Sequence, residues 1–256
     1  MSVVFGLEKF RDAMKGYEEQ FVLIGGGACS LLYSEFGTNN FRATKDLDIV
    51  ILSNVIDAGL AKAFWAFVQA GGYECGVLSG GKATYYRFEI SRDSSRKTGY
   101  PRQIELFARH PDFELVPGTY CAPLPIDDDI RSLSAIILDD GYYEFLQKGL
   151  ISIDGVLIPD TLHIIPLKMR AHIDNNDLSL KGVRINDKDK TKHRADVIGL
   201  IGLLPANSRL ELMGCLRDDA VRFLEDLDTF SNRPECSRKE RVRINSALTA
   251  LREIYL

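Results

Sequence analysis

In the first 158 residues apolar side chains gather in short runs broken by glycine, proline and polar clusters, whereas from Pro159 onward they recur at helical spacing. The runs Phe21–Ile24, Leu47–Leu52, Tyr73–Val77, Ala83–Ile90 and Gln103–Ala108 have strand length, and Ile136–Leu138 predicts a shorter strand. Helices are predicted over Leu7–Gln20, Ala28–Phe36 and Asp57–Ala70, with a short one at Tyr142–Lys148. Val116–Asp129 is proline-rich and reads as irregular, and Leu150–Ile158 reads as a hairpin turning on Asp154-Gly155. The helical spacing then predicts Thr161–Ile173, Lys190–Leu203, Arg209–Leu227 and Arg238–Tyr255, with Ser208 as N-cap of the third. Between the first two, Asp174–Asp189 is polar and charged, either a lid over a site or an ordinary connector. The expected architecture is α/β (α+β), a mixed sheet flanked by helices over residues 1–158 and a helical C-terminal subdomain over 159–256. No internal repeat is visible.

Candidate chemistry concentrates between Phe21 and Val50. The run Phe21–Ile24 leads directly into Gly25-Gly26-Gly27 and then Ala28-Cys29-Ser30, a strand, a glycine turn and a helix. Glycine lacks a Cβ, so the backbone can approach a phosphate closely, and the helix N-terminus behind it offers N–H groups to the anion. About twenty residues later Asp46 and Asp48 lie in the apolar strand that continues through Ile49-Val50. Strand side chains alternate, so both carboxylates project from one face while Leu47 and Ile49 pack on the other. Two close like charges repel unless a cation lies between them, and Mg2+ takes one or two carboxylates together with substrate phosphates. Read alone, the doublet also describes two surface acids on a solvated strand. The glycines satisfy the first two positions of the dinucleotide fingerprint G-x-G-x-x-G, but Ser30 stands at the third and the acid is doubled, which points to metal rather than a ribose.

These residues resemble the DNA polymerase beta-type nucleotidyltransferase superfamily, and within it the AbiEii/AbiGii-type abortive-infection toxin branch. The stretch Arg42-Ala43-Thr44-Lys45-Asp46-Leu47-Asp48 fits that branch's Arg-x-Thr-x-Asp-x-Asp segment. The resemblance implies a nucleotidyltransferase fold, an NTP substrate and Mg2+ or Mn2+ held by Asp46, Asp48 and a third acid. The resemblance also implies an RNA acceptor such as tRNA and an antitoxin protein as partner, while the acidic chain suits a protein or small-molecule acceptor as well. Glu105 is the candidate third acid, which would also activate the attacking hydroxyl; the alternative is a salt-bridged strand glutamate. Substrate contacts fall to Gly25, Gly26, Gly27, Ser30, Thr44 and Lys45. Two later segments resemble helices of the same branch and add Lys168, as a point cation for the triphosphate, with Lys192 and Asp196. Gly27 replaces the Ser or Thr common in the turn, leaving Ser30 as the nearest hydroxyl. A protein of this fold that binds nucleotide without turnover is the alternative function.

Composition narrows the setting. The 256 residues are 45% hydrophobic and 27% charged, with net charge −4, so no global basic field draws the chain to nucleic acid. Only Lys82–Arg109 is locally basic, its Lys and Arg interleaved with Tyr85, Tyr86, Phe88 and Tyr100, a composition suited to holding a single strand or to a solvated hairpin. Cys29, Cys75, Cys121, Cys215 and Cys236 show no C-x-x-C spacing, which argues against a zinc site or disulfide framework and fits reducing cytoplasm. His110, His163, His172 and His193 are scattered and read as surface or helix-end residues. No apolar run has membrane-spanning length, and Met1–Gln20 is amphipathic and charged rather than a signal peptide.

Overall fold

Along Gln103–Arg109, Ile104, Leu106 and Ala108 are buried and the residues between them half-exposed, the burial expected of a strand with one face on a core. The structure, a computed structural model, describes residues 4–38, 41–42, 44–52, 58–77, 83–109, 121–124, 133–182 and 187–256. The chain divides into two compact units, Met1–Pro159 and Asp160–Leu256. The first begins with α1 (Leu7–Ala13), a 3₁₀ turn (Glu18–Gln20), β1 (Phe21–Ile24), α2 (Gly25–Glu35), β2 (Asp46–Ile51) and α3 (Ala58–Gly71). It continues through β3 (Glu74–Val77), β4 (Ala83–Glu89), α4 (Arg92–Thr98), β5 (Gln103–Arg109), β6 (Cys121–Leu124), β7 (Leu133–Leu138), α5 (Asp140–Lys148), β8 (Leu150–Ile153) and β9 (Val156–Pro159).

Strands β1 to β7 form one mixed sheet in the order β1-β2-β5-β4-β3, with β7 also on β5 and β6 beside β7. β2 runs parallel to β5 and antiparallel to β1, and β4 is antiparallel to β5. β4 pairs with the first half of β5 and β7 with its second half, so β5 is central. The register lines up Leu47, Ile104 and Phe88 in one row and Leu23, Ile49 and Leu106 in the next, all nearly inaccessible. Against this face pack Phe10 of α1, Met14, and Leu60, Ala61 and Phe64 of α3. Phe10 meets Phe21 and Phe67 edge-on at 5.3 and 5.4 Å, and burying each such side chain contributes about 1.5–3 kcal/mol. The opposite face of β2, β5 and β4 carries the polar residues.

Local signals explain where the observed elements depart from the predicted ones. The first helix stops at Ala13 rather than Gln20, because Gly16 takes φ 91 and its N–H turns to the Glu18 carboxylate at 2.9 Å. α4 was not expected, although Ser91 caps it, Arg96 and Lys97 lie in its last turn and Gly99 ends it at φ 74. Cys121–Leu124 is a strand on β7 and not part of an irregular segment; the rest of 116–129 lies outside the described residues, as do Asp57, Lys82 and His110. The β8–β9 hairpin turns on Asp154 and Gly155 at φ 52 and 74, the paired positive values of a type I′ turn.

The second unit holds α6 (Thr161–Leu180), α7 (Asp187–Ile201), α8 (Gly214–Ser231) and α9 (Arg238–Tyr255). Asp160 caps α6, its Oδ1 accepting from the His163 N–H at 2.9 Å, and Ser237 caps α9. Residues 174–180, expected as loop, continue α6, and polar side chains among them find partners on α6 itself and on α8. Arg170 pairs with Asp174 at 2.9 Å, Arg222 with Asp177 at 2.8 Å, and Asn176 donates to Asp226 at 2.6 Å. Ser208 does not cap α8, which starts at Gly214; instead the Leu210 and Leu212 N–H groups donate to the carbonyls of Ile254 and Tyr255 at the end of α9.

Pro166 lies inside α6 and has no N–H for the Leu162 carbonyl one turn earlier. The hydroxyl of the buried Tyr255 supplies that donor, at 2.8 Å from the Leu162 oxygen, so the last turn of α9 completes the first turn of α6. Tyr255→Phe is expected to cost about 1–3 kcal/mol in urea unfolding, the scale of orphaning a buried carbonyl. In a Pro166→Ala background, which restores the N–H, the cost should largely vanish; an equal cost in both backgrounds would refute this account.

Candidate functional site

The carboxylates expected to act together come from two neighbouring parallel strands. Leu47 and Ile49 are buried at 0% and 1%, which forces Asp46 and Asp48 to the other face of β2. On β5, Ile104 and Leu106 do the same for Gln103 and Glu105. The parallel register sets Asp46 beside Gln103 and Asp48 beside Glu105, and across the next pair Arg87 of β4 stands beside Glu105. Asp48, Glu105 and Arg87 thus form one row across three strands.

Within that row Glu105 is engaged. Arg87 donates to its Oε1 through both Nε and Nη2, with the Glu105 side chain 14% exposed. Burial works against the Arg87 charge, but the Glu105 carboxylate outweighs it and holds the guanidinium above its ordinary pKa. Among the described residues no group of three or more His, Cys, Asp or Glu side chains is gathered at metal-holding distance. Asp46, Asp48 and Glu105 therefore share a face and a register, while the Glu105 carboxylate is turned to Arg87. The donor chemistry suits a hard divalent cation, being carboxylate oxygen throughout. Asp46 and Asp48 are the residues that would hold Mg2+, with Glu105 joining once exchanged from Arg87.

The glycines stand at the other end of Asp48. α2 begins at Gly25 itself, so they form its first turn and not a loop ahead of it. Gly25 has φ 66, and a Cβ there would lie 1.8 Å from Asp48 Oδ2. Only glycine permits both the left-handed backbone and that approach. A Cβ on Gly26 would meet Thr44 Oγ1 at 3.0 Å and the Arg42 guanidinium at 3.4 Å, so the segment before β2 folds over the start of α2. Thr44 is buried and its hydroxyl donates to the Asp46 carbonyl at 3.4 Å. The Lys45 carbonyl accepts from the Arg102 N–H at 2.8 Å, extending the β2–β5 pairing. Ile24, at the N-cap, supplies no side-chain acceptor to the helix. Ser30 is directed elsewhere, since it is 1% exposed and its hydroxyl donates to the Gly26 carbonyl at 3.1 Å. Ala43 lies outside the described residues.

The remaining predicted residues belong to the second unit. Lys168 of α6 and Asp196 of α7 form an ion pair at 3.3 Å with each side chain 4% exposed. Lys192 lies one turn before Asp196 on α7 and is half-buried. The cation assigned to a triphosphate is thus matched by an acid beside it. A buried pair of this kind fixes how two helices meet, because either charge left alone is costly.

Arg87 and Arg42 escaped the sequence assignment. Arg87 counted only toward a basic stretch, and its tie to Glu105 appears once the antiparallel register of β4 and β5 is known. Two aromatics of that stretch have partners within the fold. Phe88 is fully buried against Phe64 and Trp65, and Tyr100 packs on Phe67 at 4.9 Å. Of the histidines, His163 is at a helix end as expected, but His172 is buried.

β1 and β2 flank α2 and run antiparallel, which rules out the parallel strand-helix-strand unit of a dinucleotide fold. No described helix is long and apolar enough to cross a membrane. Compared with protein-family models, curated proteins and solved structures, the chain matches none.

Gly25→Ala is expected to lose stability by more than the roughly 1–2 kcal/mol of a left-handed φ, since Asp48 must also move. Adding Asp48→Ala should restore part of the loss in thermal unfolding, and strictly additive losses would dissociate the two residues. Lys168→Met or Asp196→Asn alone should cost about 3–5 kcal/mol, and Lys168→Met with Asp196→Leu much less than their sum. A double-mutant cycle in urea measures this.

Proposed function

We propose that the chain is a metal-dependent nucleotidyltransferase, moving a nucleoside monophosphate from an NTP to an acceptor hydroxyl. One observation carries the reading: Asp46 and Asp48 share a face with their register neighbour Glu105, and the Asp48 carboxylate lies against Gly25 at the start of α2. Acidic donors meeting a glycine-built helix start, to which Ile24 at the N-cap lends no side chain, bring metal ligands and a phosphate cradle to one place.

The acceptor oxygen bonds to the α-phosphorus while the bond from that phosphorus to the bridging oxygen of the β-phosphate breaks, and pyrophosphate leaves. The hydroxyl proton passes to a carboxylate, for which Glu105 is the candidate once Arg87 releases it. Mg2+ or Mn2+, when bound by Asp46 and Asp48, supplies charge compensation for the phosphates. The backbone N–H groups of Gly26 and Gly27 take the terminal phosphates, and Arg87, freed from Glu105, is a further cation for them. Lys168 and Ser30 have no part in this version, being tied to Asp196 and to the Gly26 carbonyl. The acceptor class we assign is an RNA end, tRNA included, with an antitoxin protein as partner; both rest on the resemblance of the Arg42–Asp48 segment.

A second reading, a nucleotide sensor of the same architecture without turnover, draws support from the Arg87–Glu105 ion pair, which occupies the third acid. Incubation with each α-phosphate-labelled NTP, Mg2+ or Mn2+ and total RNA, beside Asp46→Ala/Asp48→Ala, separates the two. Transfer of label to RNA or protein in the unaltered chain alone is the expected outcome. Metal-dependent nucleotide binding without transfer favours the sensor, and no binding at all removes the site.

A further inference from the structure

The second unit contains a cleft of about 460 Å³ between the end of α6, the start of α7 and one face of α8. Its volume falls within the roughly 300–1,000 Å³ of small-molecule sites. On α8 the lining residues Arg222, Asp226, Thr229 and Phe230 lie three or four residues apart along one face, and Arg233 follows just past the end of the helix. Arg194 of α7 faces them.

Arg194 is the unexplained group. Its side chain is 13% exposed, its guanidinium lies flat on the Phe230 ring at 3.4 Å, and its nearest carboxylate, Glu240, is 3.9 Å away, beyond hydrogen-bonding distance. A guanidinium has five N–H donors, and among the described residues none of those on Arg194 meets an acceptor. Its nitrogens are not sealed from solvent but open on the cleft, so water or a bound anion is what completes their hydrogen bonds. Burial pushes its pKa below the ordinary value; Glu240 counters, and the like charge of Arg233 adds to the depression.

The other charges on the cleft are already distributed. Asp177 accepts from Arg222 at 2.8 Å, and Asp226 accepts from Asn176 at 2.6 Å, the same amide nitrogen standing 3.1 Å from His172 Nε2. Arg233 is exposed and has no acidic partner among the described residues. Two under-compensated guanidinium groups therefore border one cavity whose acids are occupied. Together they call for a dianion, which a phosphomonoester is at neutral pH and a carboxylate is not. The planar fork of Arg suits phosphate oxygens, the Thr229 hydroxyl adds a donor, and Leu180 and Phe230 give apolar surface for the rest of an organic molecule.

We propose that this cleft binds a phosphomonoester, its phosphate held by Arg194 and Arg233 with Arg222 at the edge. The inference is independent of the reading of the first unit. It covers a small phosphorylated metabolite and the phosphorylated end of a nucleic acid, which share the recognised group.

The test uses the full chain carrying Asp46→Asn and Asp48→Asn, so that binding through the first unit's carboxylates does not enter the readout. Inorganic phosphate, the four nucleoside 5′-monophosphates, and a 5′-phosphorylated oligonucleotide beside its 5′-hydroxyl twin are titrated by calorimetry. Saturable binding of one phosphomonoester per chain is expected. Arg233→Gln, which disturbs no internal contact, should weaken it about tenfold or more, the scale of one charge-assisted hydrogen bond, with Tm unchanged. Arg194→Gln should weaken binding to a similar degree, and Arg243→Gln, outside the cleft, should leave binding as it was. Preference for the phosphorylated oligonucleotide over mononucleotides assigns the ligand to a nucleic-acid end, and the reverse to a metabolite. Absence of binding by every probe, or binding unaffected by Arg233→Gln, overturns the proposal. Loss of nucleotidyl transfer in the labelling assay leaves it untouched.

Discussion

The parallel pairing of β2 with β5 is the constraint on which the candidate site depends. Both strands bury one apolar face, so sliding β2 by one residue against β5 would turn Leu47 and Ile49 outward and Asp46 and Asp48 inward. Register is therefore locked by several large buried side chains, and Asp48 is left beside Glu105. The same lock carries outward on both sides. It brings Arg87 to Glu105 through β4, and it brings Asp48 to Gly25 through β1, whose last residue Ile24 is the register partner of Asp48. A hydrophobic core on one face thus positions charge on the other.

Several of the charges nearest the two candidate sites are tied up in pairs. Glu105 holds Arg87, Lys168 holds Asp196, and Arg222 holds Asp177. The pairs differ in what they do. Lys168 and Asp196 are sealed from water, where losing either partner strands a charge, so that pair works as a fastening between α6 and α7. Arg87 is exposed, and its bond to Glu105 is of the kind that a metal ion and a phosphate can trade against. Arg194 differs from these, a nearly buried cation stacked on an aromatic ring with no carboxylate in hydrogen-bonding reach. Groups left in that condition mark places where something outside the chain completes the structure.

The helical unit shows the same logic in neutral hydrogen bonds. A proline in α6 removes one donor, and the fold answers with the hydroxyl of Tyr255, 93 residues away in sequence. α6 also runs farther than its apolar spacing suggests, since Asp174, Asn176 and Asp177 gain partners on α6 and α8 that a polar loop would not supply.

Period and punctuation carried much of this in the sequence. Alternation at Asp46–Val50 and Gln103–Leu106 set which side chains share a face, Asp154-Gly155 set a hairpin turn, and the change to helical spacing after Pro159 marked the helices that follow. These are local properties, governed by backbone geometry and by which residues tolerate burial or positive φ. Partners were not legible in the same way. That Glu105 meets Arg87, that Lys168 meets Asp196, that Ser30 turns back to Gly26, and that α8 begins at Gly214 instead of after Ser208 each depend on which distant segment arrives alongside. The sequence by itself determined the elements, their faces and the candidate acids, because those follow from neighbours a few residues apart. Only the tertiary structure decided which charges have a bonded partner and which, like Arg194, do not, because satisfaction is a property of the space around a group.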